Sequence, residues 1–114
     1  MSQLDPFQIA NNWKHLLICP SPGITKDTQQ FFAGHMPQAQ LLEIPVYPPA
    51  AGLIEVITVQ SPDTCLVDII SDREKGLQVI KEISAANPKL AILALLPPEN
   101  TDLILKSLRA GAME

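Results

Sequence analysis

Three stretches of the 114-residue chain are apolar almost without interruption: HLLIC (His15–Cys19), TCLVDII (Thr64–Ile70) and LAILALL (Leu90–Leu96). Runs of this length predict strands covered on both faces, the condition of a parallel sheet. A fourth run, QLLEIPVY (Gln40–Tyr47), alternates instead, with Leu42, Ile44 and Val46 set between Glu43 and Pro45. Proline brings no N–H to a ladder, so this strand belongs at a sheet edge.

The segments between these runs carry helical spacing. The first, about Thr25–Met36, places Ile24, Phe31 and Phe32 on one side. The second, about Ala50–Gln60, is entered through Pro48–Pro49 and presents Leu53, Ile54 and Ile57; a proline pair suits a helix start. The third, about Arg73–Ala86, turns Leu77, Ile80 and Ile83 inward. Its entry, SDRE (Ser71–Glu74), has the spacing of a capping box, in which a serine oxygen and a glutamate carboxylate satisfy free amides of the first turn. A fourth follows PPENTD, buries Leu103, Ile104 and Leu108, and closes with Arg109 and Gly111, a cation and a left-handed residue where a helix end favours both. The order is β-α-β-α-β-α-β-α, which predicts one α/β domain over 14–114, preceded by an N-terminal lead, 1–13, in which Phe7, Ile9 and Trp13 form a small apolar stripe.

Composition narrows the partners. Hydrophobic residues make up 46% of the chain, enough for a packed core. The net charge of −4 and the lack of a basic run argue against a nucleic-acid surface. The apolar runs fall far short of the roughly 20 residues that cross a bilayer, so no membrane insertion is expected. The first residues lack a signal-peptide pattern, and Cys19 and Cys65 sit in apolar runs as reduced core thiols, which together predict a cytoplasmic setting. His15 and His35 have no companion at metal spacing, Ser21 has no neighbouring base, and SPG (Ser21–Gly23) reads as a plain turn. No metal site, catalytic residue or cofactor is predicted, and the chain is not expected to be an enzyme.

One residue breaks the apolar logic. Asp68 closes a run that otherwise reads as a buried strand. In open parallel sheets ligands gather beyond the carboxyl ends of the strands, where strand order reverses, so this acid is the candidate site.

The segment SPDTCLVDIISDREKGL resembles the third strand and following turn of the receiver domains of bacterial two-component response regulators: Pro62–Asp63 precede the strand, Asp68 ends it, and Gly76–Leu77 follow at the family spacing. NPKLAILALL is similar to the fourth strand, and LKSLRAGAME to the close of the fourth helix. The resemblance implies a flavodoxin-like receiver fold with strand order 2-1-3-4, truncated before the fifth strand. It also implies phosphoryl transfer from a phosphohistidine to Asp68, assisted by Mg²⁺.

Several parts of that chemistry are expected to be missing. Pro20 and Ser21 stand where the family has an acidic pair for the metal, Leu96 stands where a hydroxyl binds the phosphoryl group, and the chain ends before the fifth strand's lysine and switch aromatic. These departures predict a degenerate receiver that acts by protein contact in signalling or localisation, similar to the N-terminal domains of MinD-like ATPases that place pilus machinery. Self-association is expected through the fourth strand and helix. The alternative is a phosphorelay receiver in which Asp68 accepts the phosphoryl group and Asp72 is a substitute acid for Mg²⁺. Against this, SDRE reads as a helix cap.

Overall fold

The structure is a computed structural model that describes residues 12–96. Four parallel strands, β1 (Lys14–Ile18), β2 (Gln40–Ile44), β3 (Thr64–Asp68) and β4 (Ala91–Leu95), form one sheet in the order β2-β1-β3-β4. Helices α1 (Pro22–His35), α2 (Ala50–Gln60) and α3 (Arg73–Ala86) connect them. This is the expected α/β receiver-type architecture, with the alternating strand β2 at an edge. The expected fourth helix and the stripe residues Phe7 and Ile9 lie outside the described residues.

The period of two along each strand sorts side chains to the two faces. Leu16, Ile18, Cys65, Val67, Ile69 and Ile92 pack with Leu53 and Ile57 of α2 and Val79, Ile80 and Ile83 of α3. The intervening residues Leu17, Cys19 and Leu66 pack with Phe32 and Met36 on the α1 side. Every residue of β3 is buried. That explains why its sequence is continuously apolar apart from the acid.

Local chemistry shifted some boundaries. α1 begins at Pro22, three residues before the expected start, because Ser21 is its N-cap and accepts from Ile24 N at 3.3 Å. Pro22 is well placed in the first turn, where its missing N–H costs nothing. At α3 the cap is Asp72, which accepts from Lys75 N at 3.1 Å, rather than Ser71. Two residues expected inside face outward: Phe31 is 45% exposed and Ile54 43%. Helical spacing defines a wide arc, and here Thr28 and Phe32 of α1 and Leu53 and Ile57 of α2 occupy its centre.

At the amino end of the sheet Asp63 pins β1 to β3. Its carboxylate accepts from Lys14 N at 2.8 Å, and its own N–H donates to Lys14 O at 2.7 Å. Lys14 Nζ also donates to Gln60 O at 2.9 Å, placing a cation on the carboxyl end of α2.

Candidate functional site

Strand order reverses between β1 and β3, and the carboxyl ends of these two strands bring Cys19 against Asp68, with Pro20 and Ser21 next in the chain. Asp68 is completely buried, at 0% exposure. Its Oδ1 accepts from Ile70 N at 2.7 Å and Ser71 N at 3.1 Å, so the carboxylate folds the start of the β3–α3 turn around itself. Its Oδ2 accepts from the Ser71 hydroxyl and, at 3.5 Å, from the Cys19 thiol. A buried carboxylate is tolerable only when its oxygens are satisfied, and four donors from this chain satisfy these.

Tyr47 completes the arrangement from the loop between β2 and α2. Its hydroxyl donates to Asp68 O at 2.6 Å and accepts from Asp72 N at 3.3 Å. Burial, followed by the charge of Asp68, pushes the Tyr47 phenol up to about 12. Burial is also the largest influence raising the Cys19 thiol, with the neighbouring Asp68 charge acting in the same direction. Both groups therefore stay protonated and remain donors over the ordinary pH range.

The other expected positions have local work of their own. Ser21 Oγ caps α1, and Asp72 Oδ1 caps α3. Pro20 is half-buried and offers no side-chain ligand. Leu96, half-buried after β4, packs on the sheet and offers no hydroxyl. Mg²⁺ takes oxygen ligands in near-octahedral geometry, usually with one or more carboxylates. The Asp72 carboxylate caps α3 through Oδ1, and no cluster of three His, Cys, Asp or Glu residues able to hold a metal occurs among the described residues. Among the described residues this donor set does not fit the ion.

Gly76 sets how closely α3 approaches the acid. A Cβ there would lie 2.6 Å from both Asp68 O and Ile69 Cγ2. The glycine eight residues after Asp68 is thus a close-approach residue between the first turn of α3 and the end of β3.

Sequence reasoning missed Tyr47 and Cys19 as neighbours of Asp68. Cys19 carries no signal beyond its apolar run. Tyr47 is a lone polar-tipped aromatic inside PVYPP, and its partner is 21 residues away.

Comparison of the fold with solved structures finds CheY-like receiver domains among its structural neighbours. A CheY-like protein (TadZ) from Pseudomonas aeruginosa superposes with a TM-score of 0.75 at 19% identity, covering 89% of this chain and 82% of that one. A putative pilus assembly-related protein from Burkholderia pseudomallei gives 0.70 at 15% identity, covering 91% and 76%. A response regulator from Thermotoga maritima gives 0.70 at 17% identity, covering 89% and 80%. No family model and no curated protein matches the sequence. At these identities the likeness establishes the receiver fold.

Proposed function

We propose that the chain is a degenerate receiver: a non-enzymatic signalling or localisation module that works through protein contacts and has lost Mg²⁺-dependent phosphorylation. The observation that carries this reading is the state of Asp68. A carboxylate that attacks phosphorus needs a lone pair facing the incoming group and a cation to screen the charge. Here burial closes the approach, the chain's own donors occupy both oxygens, and Pro20, Ser21 and Leu96 supply neither metal ligand nor phosphoryl donor. The acid serves instead as the anchor of the β3–α3 turn.

The cytoplasm is the expected setting, and no described helix is long and apolar enough to cross a membrane. Two of the structural neighbours are a TadZ protein and a pilus assembly-related protein, which supports placing this domain as the receiver-like part of a pilus-assembly MinD-like ATPase. Self-association through the fourth strand and helix is part of the same reading.

The test is a titration with Mg²⁺ and beryllofluoride, followed by backbone NMR shifts of Asp68, Ile70 and Ser71. The expected result is no saturable shift. A saturable shift in the wild type that disappears in Asp68→Asn would overturn the proposal and restore Asp68 as a phosphoryl acceptor, with Asp72 as the substitute acid.

A further inference from the structure

The connection from β2 to α2 reads Pro45-Val46-Tyr47-Pro48-Pro49. Three prolines in five residues hold φ near −65° and restrict the residues before them to extended backbone. The segment is therefore stiff without any secondary structure of its own. The chain bends at Pro45 and Val46; Val46 is 55% exposed, whereas Tyr47 is half-buried and packs against the α2–α3 core. From that inward position the Tyr47 hydroxyl reaches both ends of the β3–α3 turn, Asp68 O on one side and Asp72 N on the other.

We propose that residues 45–49 are a proline-stiffened strap that locks the β3–α3 turn around Asp68, with the Tyr47 hydroxyl as its fastening. Closed, the strap joins two loops that are far apart in sequence into one hydrogen-bonded rim. Withdrawn, it strips Asp68 O and Asp72 N–H of their partner, and the turn keeps the donors to the Asp68 carboxylate and the Ile69 N–H to Leu95 O bond at 3.4 Å. A push on the exposed Val46 side of the strap is in this way felt at Asp68. By the reciprocity of coupling, opening of the turn loosens the strap. The inference rests on hydrogen-bond geometry and proline stereochemistry, so it holds whether or not Asp68 accepts a phosphoryl group.

Native-state amide exchange tests it on the whole chain. Tyr47→Phe keeps the ring in the core and removes only the fastening. It is expected to speed exchange of the Ile70, Ser71 and Asp72 amides by about 3- to 10-fold, the range for one hydrogen bond, and to leave the β1 amides unchanged. A second variant, Pro45→Ala with Pro49→Ala, replaces two exposed prolines and keeps the hydroxyl. It is expected to produce a smaller rise at the same three amides. Unchanged exchange there in both variants overturns the lock. So does an equal rise at the β1 amides, because Tyr47 would then contribute only to global stability.

Discussion

Asp68 shows what one carboxylate can do once its oxygens are spoken for. Its four side-chain contacts come from the turn that follows it and from the end of β1. Asp68→Asn would keep the shape but set an NH₂ against groups that are themselves donors. Hydrogen bonds to a charged group contribute about 1.5–3 kcal/mol, so a loss of about 2–3 kcal/mol is expected, read as a lower urea midpoint at an unchanged slope. An equal or higher midpoint would show that the carboxylate is not an anchor. Tyr47 and Cys65 add a pH dependence. Burial holds the Cys65 thiol up at about 12 against an ordinary 9.0, and the Tyr47 phenol at about 12 against 10.0. Both folded values lie above the unfolded ones, so each contribution is fully present below pH 9 to 10 and is lost as pH climbs toward 12. Urea midpoints should fall across that alkaline window, and less steeply in Cys65→Ala; a midpoint flat to pH 12 would exclude both groups as the cause.

The elements were legible where patterning is strong and blurred where one side chain decides. Continuous apolar runs located β1, β3 and β4; β1 and β3 are covered on both faces and can carry little else, whereas in β4 only Ile92 is buried. Pro45 and the alternating run placed β2 at an edge. Helix starts were less legible: SDRE allows both Ser71 and Asp72 as cap, and the choice fell to Asp72 because the Ser71 hydroxyl is drawn to Asp68. The candidate acid was visible as a lone charge in an apolar run, but its partners were not, since Tyr47 and Cys19 meet it only through the crossovers. Gly76 carries a direct test at this scale. The nearest atoms to an added Cβ include the Asp68 carbonyl and Ile69 Cα, both backbone, and neither can rotate away. Gly76→Ala gains helix propensity yet must push α3 off the sheet, a typical overpacking cost of about 1–3 kcal/mol. Thermal unfolding should therefore show a lower Tm for Gly76→Ala, while Gly34→Ala, with nothing within 4 Å of its added Cβ, should not lose stability. A Tm for Gly76→Ala at or above wild type would mean that the turn gives way freely and is not locked.

At the scale of the molecule the two faces of the sheet are unequally covered. Four strands about 4.8 Å apart make a surface wide enough for two helices of about 10 Å diameter. α2 and α3 supply both on one face; on the other, among the described residues, α1 stands alone. The remainder is an open groove of about 390 Å³ between α1 and the β3–β4 side, lined by Ile24, Phe31, Ile70, Leu95 and Leu96 among others. β4 borders the same side, and among the described residues its outer edge has no strand partner. An open strand edge beside an apolar groove favours pairing with another polypeptide. Concentration then decides whether copies of the chain meet there. Sedimentation over a wide concentration range should give a mean mass that rises above the 12.4 kDa monomer, and Phe31→Asp, which places a charge on the groove's rim, should return it toward the monomer. A mass constant at the monomer value would remove self-association from the proposed function. A rise unaffected by Phe31→Asp would move the contact away from this groove and leave the β4 edge to be tested alone.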